Sequence, residues 1–329
     1  VKEEQNYRWY VFAWAVLTAV TVFPLIALGG VVTSLGIGMA DVEPVRSPWY
    51  LLATLWSDNH EGLGVAAIIE HSHRTAGWLV GVFAIVLAMM LLLADSRRSL
   101  KVLGLITLIA ICVQGLLGIF RVGLESAGLG LEMAMVHGVV GPVTFALLVG
   151  IAVMTSASWQ RPEKVEVEDA ARFRRVSRLT LLLVLLQLIT GVWLRQVGQD
   201  AGFLPLFVHL FFALAVVAHV MMLWVRVGRW RGAPRLVARP VMLALILMGL
   251  QVLLGMAAWV YGGGVGARNK AMAPVGKELA IAATTHMALG SLLLAASVLV
   301  ALRAARHLAA VPLTTGHSIA QTTATGGGA

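Results

Sequence analysis

Four histidines, His73, His137, His209 and His286, stand inside long apolar stretches, each within about two or three helical turns of the same end of the stretch. Burying an ionisable ring in a membrane span without a partner is costly, so each is a functional candidate by default. Each is followed at i+4, on the same helix face, by a small residue: Gly77, Gly141, Ala213 and Gly290. Clearance of that kind beside a helical imidazole suits a flat macrocycle bound edge-on, whereas close helix packing in lipid explains any one of these glycines taken singly. Two such histidines per half of the chain, on facing helices, suit axial ligation of one haem in each half. Zinc fits less well, because Cys112 is the single cysteine and Glu70 is the one carboxylate beside these positions.

The elements that must carry these residues follow from composition. Of 329 residues, 59% are hydrophobic and 12% are charged, against about 25% charged in soluble domains, which excludes a water-soluble globule. Apolar stretches long enough to cross a bilayer run over about 9–36, 66–94, 101–122, 132–157, 174–197, 204–227, 238–262 and 278–304. Continuous apolar runs select helices over the alternating strands of a barrel, so the fold class is all-α, a polytopic protein of eight transmembrane helices in a lipid bilayer. The net charge of +9 sits mainly in the connections, which makes nucleic acid a poor partner. All Lys and Arg except Arg46, Arg74, Arg121, Arg195, Arg268, Lys270 and Lys277 fall on one side, so both termini are expected in the cytoplasm, with the protein in the cell inner (plasma) membrane. The first span is too long for a signal-peptide core and lacks a small-residue cleavage site, so it reads as a retained helix.

The halves repeat one another. Gln114-Gly115-Leu116-Leu117-Gly118 matches Gln251-Val252-Leu253-Leu254-Gly255, His73 matches His209 at nearly the same displacement, and His137 with Gly141 matches His286 with Gly290. An even number of spans per copy gives both copies the same orientation, so the expected arrangement is two parallel-related four-helix bundles, 1–160 and 161–307, followed by a disordered tail, 308–329. The first outer connection, about 37–65, with Trp49, Trp56 and His60, is expected to cap the outer face.

The sequence resembles the haem A synthase family, membrane proteins that convert haem O to haem A for terminal oxidases. The resemblance rests on Glu70-His71-Ser72-His73-Arg74-Thr75-Ala76-Gly77, the Gln-x3-Gly repeats, His137, His209-Leu210 and Thr284-Thr285-His286-Met287-Ala288-Leu289-Gly290. Gly29-Gly30-Val31-Val32-Thr33-Ser34 with Gly38-Met39-Ala40 extends it over nearly the whole chain. It implies oxidation of a ring methyl of haem O to a formyl group. It also implies substrate haem in the N-terminal half, with His73 and His137 as iron ligands, and a resident haem b between His209 and His286. A haem O synthase and an electron donor are the implied partners. Some relatives carry a cysteine pair in the first outer loop; this sequence has none there, so their thiol-dependent step is not implied for it.

The repeats differ around the histidines. Glu70 and Arg74 flank His73, where the second copy has Leu206 and Leu210. A desolvated carboxylate at that place can move protons, which makes Glu70, with Arg74, the catalytic candidate; a structural ion pair is the competing reading. Whether dioxygen or water supplies the oxygen stays open. A bis-histidine di-haem electron-transfer cytochrome linked to quinol is the alternative function, although such proteins place haems at different depths. A transporter with a central polar site is disfavoured by the scarcity of ionisable residues near mid-membrane. His219 is ten residues from His209, roughly 15 Å along a helix, so it reads as structural. His60 and His71 read as solvated loop-side histidines, and His307 and His317 as remote from the site. Arg121, Arg195 and Arg268 could pair haem propionates or snorkel to the interface, and Trp259 reads as an interfacial anchor.

Overall fold

The computed structural model describes residues 7–38, 64–123, 129–197, 202–230, 232–263 and 275–311. The first outer connection with Trp49, Trp56 and His60 lies outside these residues, as do Arg46, Arg268, Lys270 and His317; the side chain of Arg121 is likewise not described. Among the described residues, eight long apolar helices appear: α1 (Trp9–Ser34), α2 (Val65–Ala94), α3 (Arg98–Gly123), α4 (Gly130–Thr155), α5 (Ala170–Val197), α6 (Leu204–Arg229), α7 (Arg235–Tyr261) and α8 (Lys277–His307). The chain is a multi-pass, all-α membrane protein. The spans agree with the sequence reading to within a few residues, because a stretch that must satisfy its own backbone in lipid stays helical until polar residues resume.

α4 and α8 are the most enclosed helices, and each carries one of the four histidines. α4 packs on α1, α3, α5 and α8, while α8 packs on α1, α4, α5 and α7. The close approach of α1 and α8 depends on Gly30, where a methyl group would stand 2.6 Å from Met287 Cε and 2.9 Å from Thr284 Cγ2. Two of the apolar cores lie towards the helix ends on the side of both termini, called inner for brevity: one around Leu91, Leu100, Leu148 and Ile151, the other around Phe173, Leu223, Val237 and Val300.

The inner ends are tied by a clasp that the apolar pattern does not announce. Val165–Val167 (β1) pairs in parallel with Leu308–Ala310 (β2), so the first residues assigned to a disordered tail are a paired strand. Leu308 is buried, and its carbonyl accepts from Arg174 Nη1 at 2.7 Å, which gives that segment both apolar and hydrogen-bonded anchorage. His307 is 2% exposed and its Nδ1 lies 3.2 Å from the Glu163 carbonyl, so this histidine anchors the connection between the halves. Asp169 accepts from Arg226 Nη1 at 2.6 Å and from Trp230 Nε1 at 2.8 Å.

Candidate functional site

Each of the four histidines rests on a glycine of the preceding long helix. A methyl group on Gly29 of α1 would stand 2.9 Å from His73 Cε1, and one on Gly191 of α5 would stand 2.9 Å from His209 Cε1. The equivalent distances are 3.6 Å from Gly118 of α3 to His137 Cε1 and 3.2 Å from Gly255 of α7 to His286 Cε1. A missing side chain thus lets the Cε1 edge of an imidazole approach a neighbouring backbone, most closely at Gly29 and Gly191, one in each copy. The sequence reading looked for clearance on the histidine's own helix and missed these seats. Gly118 and Gly255 were legible as part of the Gln-x3-Gly repeat; Gly191 closes a further Gln-x3-Gly, Gln187 to Gly191, which the sequence reading did not single out, and Gly29 opens the Gly29–Ser34 motif.

Gln114 Nε2 donates to the His137 carbonyl at 2.9 Å, and Gln251 Nε2 donates to the His286 carbonyl at 2.7 Å. The first of these bonds explains one of the i+4 glycines differently from the sequence expectation. A methyl group on Gly141 would stand 3.1 Å from Gln114 Nε2, so this glycine makes room for the glutamine; at Gly290 the nearest glutamine atom, Gln251 Oε1, would be at an ordinary contact distance of 3.7 Å. Beside Gly77 there is open space within 4 Å, as a macrocycle next to His73 requires.

In the C-terminal half, His209 and His286 face each other with ring centroids 6.3 Å apart and planes at 71°. An imidazole nitrogen binds a metal at about 2 Å and lies about 1 Å from its own ring centre. A metal held between two opposed imidazoles therefore spaces the centroids about 6 Å apart, and the observed pair fits that requirement. Gln187 Nε2 lies 3.1 Å from His209 Nε2, and Thr190 Oγ1 lies 3.3 Å from Nδ1. An amide donating to Nε2 places the proton of the neutral ring on Nδ1, facing Thr190, and occupies the single Nε2 lone pair, so a metal bound at Nε2 would take the place of the Gln187 amide. Thr190 then orients the ring, as an outer partner does for a metal-binding histidine. His286 Nδ1 is buried and has no hydrogen-bond partner among the described residues, a cost that an added ligand or its own environment must offset. These observations fit an axially ligated haem.

In the N-terminal half, Glu70 is 2% exposed, and its Oε1 accepts from Arg74 Nη2 at 2.6 Å, one turn along α2. The ion pair that competed with the catalytic reading is therefore present, and it places a buried carboxylate one turn from His73. Glu70 needs such a partner, because a lone charge there would be strongly disfavoured. His71 is 4% exposed within α2, so it is a helix residue withdrawn from solvent, against the loop-side reading. His219 is on α6 well inward of His209 and is not brought to the site. Arg195 does not extend to the interface. Its Nη2 reaches across the junction of the halves to Ser34 Oγ at 2.6 Å and to the Gly30 carbonyl at 3.3 Å. Trp259 is half-exposed near the outer end of α7, as an interfacial anchor would be.

Comparison with curated proteins gives no match. Residues 59–206 match the model of the COX15-CtaA family, described as cytochrome oxidase assembly protein. The matched stretch carries Glu70, His73, Arg74, Gln114, His137, Gly191 and Arg195, and it ends before His209. This segment of the chain is therefore similar to the COX15-CtaA family.

Proposed function

We propose that the protein is a haem A synthase, an oxidoreductase that converts a ring methyl of haem O to a formyl group. The observation that carries this reading is the opposed His209–His286 pair, spaced for a metal between the rings and seated on glycines that recur beneath His73 and His137. His209 and His286 would hold a resident haem b, and His73 and His137 would hold the substrate haem O. Haem b, when bound, supplies one-electron transfer. The family match over the N-terminal histidines supports the same assignment.

The chain's own contribution is positional and protonic. Gly29 and Gly118 let the imidazoles of His73 and His137 approach the neighbouring helix backbones, while Gln114 fixes the His137 carbonyl and with it the pitch of α4 at the ligand. With water as the oxygen source, conversion of the methyl to a formyl group sends electrons to an external acceptor and releases protons. Glu70, buried and one turn from His73, is the group placed to accept them, and Arg74 offsets the cost of keeping that carboxylate out of water. The second copy has Leu206 and Leu210 at these places and therefore cannot perform this step.

Pigments extracted from protein made with and without a supply of haem O, separated and identified by mass, test the reading. Haem O, a hydroxylated intermediate or haem A should accompany haem b when haem O is supplied. Haem b alone under both conditions would refute the synthase and leave an electron-transfer cytochrome.

A further inference from the structure

Arg195 stands one turn outward from Gly191, so it projects from the face of α5 that seats His209. Its Nη2 donates to Ser34 Oγ and to the Gly30 carbonyl, and Ser34 Oγ lies 2.9 Å from Thr284 Oγ1. Thr284 is two residues before His286. The guanidinium is thus held just outward of both rings, where α1, α5 and α8 converge. Its Nε and Nη1 groups make no hydrogen bond among the described residues, and no Asp or Glu among them pairs with it. A guanidinium withdrawn into a membrane span without a carboxylate is costly, and its planar fork of donors matches a carboxylate in two-point contact.

We propose that Arg195, anchored by Ser34, forms a carboxylate-binding site that takes a propionate of the porphyrin ligated by His209 and His286. The inference rests on the porphyrin reading of those histidines and adds the group that orients the ring. One edge of a porphyrin is anionic and the rest is apolar, so a part-buried cation beside the rings fixes which edge turns towards it. The site also joins the halves: Ser34 and the Gly30 carbonyl belong to α1, so a porphyrin in the C-terminal half rests on a residue positioned by the N-terminal half. The position on α1 equivalent to Arg195, counted from the glycine seats, is Thr33, whose hydroxyl donates to its own helix at the Gly29 carbonyl at 2.9 Å. This anion site is therefore built in one half only.

The test is titration of the full chain, produced without haem and carrying His73→Ala so that the C-terminal site is read, with protohaem and with protohaem dimethyl ester. The readout is the low-spin bis-imidazole spectrum. With Arg195 intact, the diacid should bind about tenfold or more tightly than the diester, as a charge-assisted hydrogen bond implies. Arg195→Leu should bring the two affinities together, and Arg195→Lys should restore part of the preference. Equal affinity for both porphyrins with Arg195 intact would overturn the proposal; this is also the result if Arg195 holds a lipid phosphate instead. An undiminished preference in Arg195→Leu would overturn it too. Arg195→Gln, neutral but still able to hydrogen-bond Ser34, is held to the same outcomes if the leucine variant does not accumulate. Absence of the bis-imidazole spectrum with either porphyrin overturns the reading of His209 and His286 before Arg195 is substituted, and the proposal with it.

Discussion

The two halves share a frame and differ in where they place polar groups. In both, an imidazole from the second helix lies on a glycine of the first, and an imidazole from the fourth lies on a glycine of the third while a glutamine holds its carbonyl. In the N-terminal half the additional charge sits on the histidine's own helix, as the Glu70–Arg74 pair. In the C-terminal half that helix offers Leu206 and Leu210, and the polar groups come instead from α5: Gln187 and Thr190 at His209, and Arg195 one turn outward. The equivalent positions on α1, counted from the glycine seats, are Leu25, Leu28 and Thr33. On the haem reading proposed above, a repeated scaffold would hold the same ring system twice. The chemistry diverges according to which helix supplies an ionisable group, and whether that group is a carboxylate able to exchange protons or a cation fixed in charge.

The sharpest way to separate the halves is to remove one ligand pair at a time. His209→Ala or His286→Ala should abolish the low-spin b-type signal, while His73→Ala or His137→Ala should leave it and stop haem A formation. Difference spectra and extracted pigment decide, and an intact b-type spectrum in both C-terminal variants breaks the assignment. Next in size, Glu70→Gln keeps shape but removes proton exchange, so haem A formed per mole of haem b should fall on the order of 10²–10⁴-fold, the usual contribution of general acid–base catalysis. An unchanged ratio would make Glu70 a structural partner of Arg74 alone and erase the main contrast between the halves.

The glycine seats test what the halves have in common. Gly29→Ala and Gly191→Ala each bring a methyl group to 2.9 Å from an imidazole carbon, so the ring or the helix must shift. The expected cost is about 1–3 kcal/mol, as for overpacking elsewhere, with a displaced ligand visible in the spectrum of the Gly191 variant. Gly118→Ala, at an ordinary contact distance of 3.6 Å, should be nearly silent in thermal unfolding. Equal tolerance at all three positions would show that the seats do not constrain the rings.

The smallest effect concerns the inner ends. In the N-terminal half, Asp95 pairs locally, accepting from Arg97 Nε at 2.9 Å, Arg97 Nη2 at 2.6 Å and the Arg97 backbone N–H at 2.9 Å. In the C-terminal half, Asp169 reaches across to Arg226 and Trp230 instead. Burial works against ionisation of Asp95, but the Arg97 hydrogen bonds and the charges of Arg97 and Lys101 outweigh it and hold the carboxyl below its ordinary 3.8. Its folded value is depressed, so its stabilisation is fully present above 3.8 and fades as pH falls through the lower folded value. Asp95→Asn should remove that pH dependence with a small loss of stability. An unaltered acid limb in thermal unfolding between about pH 5 and pH 2 would show that the local pair adds nothing.

The sequence by itself determined the membrane class, the eight spans, the repeat and the four histidines, because long apolar runs are what lipid accepts and ionisable residues within them are costly there unless they have a purpose. It also determined that Glu70 and Arg74 share a helix face, since i and i+4 neighbours are fixed by helix geometry alone. Only the tertiary structure decided what meets between helices. It placed the glycines of α1, α3, α5 and α7 beneath the rings and gave Gly141 to a glutamine. It carried Arg195 across to Ser34, put His307 into a buried anchor and paired Leu308–Ala310 with the linker. In these spans residues face lipid as well as protein, and an apolar side chain suits either, so hydropathy does not mark which stripe of a helix meets its neighbour. That choice is made by close packing among helices distant in sequence.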